Sequence, residues 1–131
     1  MEYLFFTDFR SPVMANLYYG LRIDFVGEDN EPIDSVCLKK LTGLPFPSPI
    51  GTKVFIPTDD GFFATVCRFV HRHGEENTTP TYGDFFMILR EESIEDSEGY
   101  PCADQSSFDN DVEELKKSGW LEVDWAEFYR P

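Results

Sequence analysis

Cys67, His71 and His73 place three chemistry-bearing side chains close together, and Glu75 and Glu76 follow them. On an extended strand, histidines two apart point to the same side with Cα atoms roughly 7 Å apart, close enough to share a metal ion. Cys67 is expected on that side too, but roughly 13 Å back along the strand, too far to join them directly. A zinc site needs three or four convergent ligands, and only Glu75 and Glu76 curling back would complete one. The plainer alternative is two histidines facing water at a strand end. The same histidines offer a base to a cysteine nucleophile, with Cys67 or Cys102 as the thiolate. That chemistry needs thiol and imidazole within hydrogen-bond reach, plus an oxyanion donor, and no local motif supplies either.

Other motifs are weaker still. No GxxxxGK[ST] or GxGxxG loop is present, and the glycines mark turns. Asp109-Asn110-Asp111 opens like a calcium loop but has Glu114, not glycine, at its sixth position. Asn77-Thr78-Thr79 has the form of a glycosylation sequon and reads as a polar loop. With 25 acidic residues, carboxylates near histidine arise by chance. The sequence therefore predicts no catalytic residues, no resident metal and no cofactor.

The elements that would position these residues are mostly strands. From Leu17 to Val26 the chain alternates, with Leu17, Tyr19, Leu21, Ile23 and Phe25 on one face and Arg22 and Asp24 on the other. A polar turn, residues 27–32, leads to a second strand over 33–41, expected to pair with the first as a hairpin. Pro45, Pro47 and Pro49 cannot donate ladder hydrogen bonds, so residues 44–49 should run extended over the surface. Strands over 53–57 and 62–72 flank Thr58-Asp59-Asp60-Gly61, a strong hairpin signal, and another is expected over 84–90.

Near the C-terminus, Phe108, Val112 and Leu115 follow helical spacing, with Ser107 as the expected N-cap and Gly119 as the stop. Asp109, Asp111, Glu113 and Glu114 would face solvent from that helix. Trp120 to Trp125 then alternates apolar and charged residues like a closing edge strand. The predicted fold is a single α+β domain over residues 1–131: a mainly antiparallel sheet curled into a small barrel or half-barrel, with one C-terminal helix packed on it. Residues 1–90 are strand-rich, and 91–131 hold an acidic loop, the helix and the edge strand.

Charge carries the functional argument. The chain has 11 basic and 25 acidic residues, a net charge of -14, which excludes phosphate-backbone binding because that needs a basic footprint. Its 13 Phe, 6 Tyr and 2 Trp exclude a disordered acidic chain. From Glu91 onward, 13 acids face 3 bases, so residues 91–131 carry -10 and the first 90 only -4. Three cysteines cannot close a complete disulfide set, the opening residues lack a basic, apolar export signal, and no apolar run approaches the roughly 20 residues of a membrane span. A cytoplasmic protein with no membrane contact is expected.

The expected function is a non-enzymatic acidic protein that inhibits or sequesters a basic partner, such as a nuclease or another nucleic-acid-binding protein, with carboxylates standing in for phosphates. Immunity proteins and nucleic-acid mimics use charge in this way. The expected contact residues are Glu91, Glu92, Glu95, Asp96 and Glu98 in the loop and Asp109, Asp111, Glu113 and Glu114 on the helix. Trp120 and Trp125, with Phe128 and Tyr129, are expected as apolar anchors. The alternative is a small β-barrel that binds a peptide or small ligand and is acidic only for solubility.

Overall fold

The computed structural model describes residues 16–29, 31–72, 83–91 and 98–129. Strand β1 (Asn16–Val26) is the centre of one mixed sheet. It pairs antiparallel with β2 (Pro32–Leu41), and Gly27 N donates to the Glu31 carbonyl at 3.0 Å to close their turn. Strands β3 (Lys53–Ile56) and β4 (Phe62–Arg72) form the expected hairpin. Gly61 turns the chain there at φ +68°, a conformation that side chains with Cβ rarely adopt. Strand β5 (Asp84–Glu91) pairs antiparallel with β4 and parallel with the first half of β1. Strand β6 (Gly99–Cys102) runs parallel to the second half of β1.

The sheet order is β3-β4-β5-β1-β2-β7, where β7 is Leu121–Val123, with β6 beside β1. The sheet is open: its end strands β3 and β7 do not meet, which corrects the expected barrel or half-barrel. It is also mixed, because β1 has parallel neighbours on one side. Parallel pairing between distant segments leaves no local turn motif, so alternation within each strand cannot reveal it.

Both faces of the sheet are covered. On one lies helix α1 (Gln105–Lys117), which buries Phe108, Val112 and Leu115 against Leu21, Ile23, Leu38 and Cys102. Its N-cap is Asp104, not Ser107: the Asp104 carboxylate accepts from Ser107 N at 2.8 Å, and also takes both Ser106 and Ser107 hydroxyls. The helix thus starts earlier than Ser107, and no acid falls in its first turn. Gly119 ends it at φ +100°, as expected, and Trp120 N reaches back to the Leu115 carbonyl at 3.0 Å. The proline run remains outside the sheet, and Ser48 N donates to Met87 Sδ at 3.1 Å on this same face.

On the opposite face lies α2 (Ala126–Tyr129), a short helix that alternation across residues 120–125 did not predict. Its Phe128 is buried against Phe86, Ile88 and Cys37. The side of β1 bearing Arg22 and Asp24 is therefore not a solvated face, and Asp24 is only 3% exposed. Gly20 permits this packing, because a Cβ there would lie 2.8 Å from the Phe128 ring and 2.9 Å from Ile88 Cδ1. Gly20→Ala should cost about 1–3 kcal/mol in denaturant unfolding and raise amide exchange across residues 126–129; unchanged stability would show that α2 is not seated there.

Candidate functional site

The β3–β4 turn and α1 are tied together by one side-chain hydrogen bond, Asn110 Nδ2 to Asp59 Oδ2 at 2.7 Å. That bond brings Asp59 and Asp60 up to Asp111, which is half-buried rather than turned to solvent as expected. Burial pushes the Asp111 carboxyl above its ordinary range; a weak hydrogen bond from Cys102 Sγ at 3.6 Å opposes this, and the charges of Asp59, Asp60 and Glu114 add to it. Below them Tyr100 stacks on Phe62 with ring centroids 3.9 Å apart. Its hydroxyl is also pushed up, first by burial and then by Asp111, Cys102, Glu91 and Asp60. Carboxylates from the β3–β4 turn, the end of β5 and the middle of α1 therefore share one field.

Asp109 and Glu113 are exposed on α1, and Gln105 Nε2 donates to Asp109 at 3.0 Å. The helix's cations lie in its last turn, where Lys117 is 3.8 Å from Glu114 and Lys116 2.9 Å from Glu122. Of the expected contact residues, Glu91, Asp111 and Glu114 thus share this field, while Asp109 and Glu113, two positions from Asp111 on α1, are exposed on a different side of the helix. Asp59 and Asp60 join the first three; the Asp-Gly hairpin signal located their turn but not its neighbour. Glu92, Glu95 and Asp96 lie outside the described residues.

Three expected contacts are corrected. Glu98 is not a free surface acid, because Arg68 holds it from the opposite face through its Nε and through Nη2 to Oε1 at 2.9 Å. Burial alone would raise the Glu98 carboxyl, but the bonds and charge of Arg68 outweigh it and hold Glu98 below the ordinary carboxylate range. Trp120 is no surface anchor: it is 2% exposed in the core under α1. Phe128 is likewise buried, at 2%. Trp125 is exposed, but it stacks on Tyr129 at 4.5 Å, with the α2 segment on the other side of the sheet.

Around Tyr129 the cations gather. Its ring lies between the Arg22 and Arg68 guanidiniums, 5.3 and 5.1 Å from the centroid, and its hydroxyl accepts from Arg22 Nη1 at 3.1 Å. Arg72 donates to the carbonyls of Ala126 and Glu127 at 2.7 and 2.8 Å, and Arg68 to that of Phe128 at 3.2 Å. Arg68, Glu98, Phe128 and Tyr129 line an open depression of about 410 Å³. Its two charged groups neutralise each other, so its chemistry is that of a packed joint.

Comparisons with family models, with curated proteins and with solved structures find no match. The reading of this site rests on its geometry alone.

The geometry does not assemble the expected nucleophile or metal site. A bulge between Val66 and Arg68 shifts the strand register, so Cys67 packs with Phe86 and Phe128 while His71 lies beside Phe85 on the other face. This corrects the shared face expected for Cys67 and His71. His73, Glu75 and Glu76 lie outside the described residues. Among the described residues no three His, Cys, Asp or Glu side chains are placed to hold a metal ion. Nor, among them, is any helix long and apolar enough to cross a membrane.

Burial pushes the Cys67 thiol up to about 11 and Cys37 and Cys102 up to about 12, opposite to the activation a nucleophile needs. In the unfolded chain these thiols ionise near 9.0, so their contribution to stability is full below that pH and lost as pH rises towards 12. Urea unfolding at pH 8 and at pH 10.5 should therefore differ, with the midpoint lower at the higher pH, and native thiols should resist alkylation at pH 7. Glu98 works in the other direction: its stabilisation is present above the ordinary carboxylate range and lost as pH falls through its lowered value. Glu98→Gln should cost roughly 1 kcal/mol at pH 7 for this partly exposed pair, and less at pH 3, as read from denaturant midpoints.

Proposed function

We propose that this chain is a non-enzymatic binding protein whose acidic region on α1, the β3–β4 turn and the end of β5 inhibits or sequesters a basic, nucleic-acid-handling protein. The observation that carries this reading is the 2.7 Å bond from Asn110 to Asp59, which sets Asp59 and Asp60 near Asp111; burial raises the Asp111 carboxyl, and the charges of Asp59, Asp60 and Glu114 add to it even with Cys102 bonded to it. Like charges held together in this way cost folding energy and produce a strong local field. A partner bringing Lys or Arg to that field relieves the repulsion, and opposite fields speed encounter. Asp59, Asp60, Glu91, Asp109, Asp111, Glu113 and Glu114 are the proposed contacts. Glu98 and Trp120 are not among them, since each is engaged inside the fold. The three raised thiols, Cys37 and Cys102 buried and Cys67 half-buried, favour binding over thiolate catalysis.

The experiment is capture of basic proteins on immobilised chain, followed by a salt gradient, with the wild type beside Glu113→Lys/Glu114→Lys. Glu113 is exposed and Glu114 half-exposed, so the double reversal should leave the circular dichroism spectrum intact while weakening capture roughly tenfold and flattening its salt dependence. A captured partner held equally well at about 50 mM and about 500 mM salt would refute the electrostatic reading. An uncharged peptide or small ligand eluting without regard to salt would support the acidic-for-solubility alternative.

A further inference from the structure

Among the described residues β3 ends the sheet on one side and β7 on the other, and the two edges differ in chemistry. The β7 edge exposes Leu121 and, just past it, Trp125, but intersperses them with acids: Glu122 lies within the strand and Asp124 just after it, the kind of charge that keeps an edge from pairing. The β3 edge carries aromatic surface. Phe55 is 56% exposed and Phe63 beside it 54%, with their rings 5.5 Å apart edge to face. The segment leading into β3 adds exposed Phe46 and Ile50. Exposed apolar residues gathered at the open edge of a sheet mark an association surface.

The backbone register says which groups that edge offers. Val66 N donates to the Thr52 carbonyl at 2.9 Å, and β3 pairs Val54 with Ala64 and Ile56 with Phe62. In an antiparallel ladder the bonded residues alternate, so the Val54 and Ile56 main chains face β4, and the Phe55 N–H and C=O point outward. Pro57 has no N–H and ends the usable edge.

We propose that this edge is a self-association site, where two copies of the chain pair antiparallel through Phe55 and continue the sheet across a two-fold axis. Centred on Phe55, the pairing is reciprocal: each Phe55 N–H donates to the other's carbonyl, and no second sequence is required. The two Phe55 rings then lie side by side on one face, flanked by the two Phe63 rings. The charge pattern along the hairpin is also self-complementary. Lys53 stands at one end of β3 and the Asp59-Asp60 turn just beyond the other, so an antiparallel copy brings the cation of each towards the acids of its partner. At longer range two bodies of -14 repel, which makes the dimer weak at low salt and stronger as salt rises. This trend is opposite to that expected for capture of a basic protein, so the two proposals stand or fall separately.

Sedimentation equilibrium on the full chain, run up to about 1 mM at low and high salt, tests the association. Amide exchange followed by NMR over the same concentrations tests its location. The expected result is a monomer–dimer equilibrium that strengthens with salt, with the Phe55 amide becoming protected as concentration rises. Phe55→Lys should abolish the dimer by placing like charges opposite each other, whereas Leu121→Lys on the β7 edge should leave it intact. A monomer throughout, a dimer that survives Phe55→Lys in folded protein, or a dimer lost in Leu121→Lys would each overturn the proposal. So would a wild-type dimer with no concentration-dependent protection at Phe55, a measurement that does not depend on any variant folding.

Discussion

Strand β1 has hydrogen-bonded neighbours along both sides and an apolar layer on each face, so its side chains must satisfy two packing surfaces at once. Towards α1 it presents Leu17, Leu21 and Ile23, the ordinary apolar set of a half-buried strand. Towards α2 it presents Tyr18, Gly20, Arg22 and Asp24, a polar set that would be expected in water. That second surface becomes packable through three local solutions. Gly20 leaves room for the Phe128 ring, Arg22 grips Asp24 in a fork at 2.9 and 3.1 Å, and Ser35 Oγ donates to Asp24 at 2.6 Å. Gly99 on β6 completes the arrangement, because a Cβ there would run into the Asp24 carboxylate. A buried charge is tolerable only when paired and hydrogen-bonded, and here the whole second layer depends on that condition.

The fold also separates the charges. Arg22, Arg68 and Arg72 all turn to the α2 face, where they hold Asp24, Glu98, three backbone carbonyls and the Tyr129 ring. Cations used as internal joints do not oppose the acids elsewhere on the surface. The bond between Asn110 and Asp59 joins the acids of α1 to those of the β3–β4 turn, while Glu98 from the same acidic segment is held on the other face. Asp59 and Asp60 come from the first, less acidic part of the chain and still add to the same field.

Local pattern made much of the secondary structure legible. Alternation located β1, the polar turn after it located β2, an apolar run located β5, the Asp-Gly turn located β3 and β4, and helical spacing with Gly119 located α1. The short β6, with Pro101 inside it and only four residues, lacked enough alternation to be recognised. Helix α2 is four residues long and owes its conformation to Phe128 packing and to arginines on its carbonyls, contacts that no local propensity encodes. Asp104 and Ser107 are both good capping residues, and only the backbone geometry decides that the aspartate accepts from the serine.

By itself the sequence determined the periodicities, the turns and the sign and uneven placement of the charge, because each depends on neighbouring residues or on a simple count. Only the tertiary structure decided whether the sheet closed, which acids met and which were neutralised. Each of those outcomes depends on contacts between residues far apart in the chain. Arg68 of β4 reaches Glu98 beside β6, Asn110 reaches Asp59 between helix and hairpin, and β5 and β6 line up along one side of β1. A bulge at Cys67 moves its side chain to the other face and parts it from His71. A one-residue shift in register reverses which face a side chain serves, so the chemistry suggested by spacing held only where the strand stayed regular.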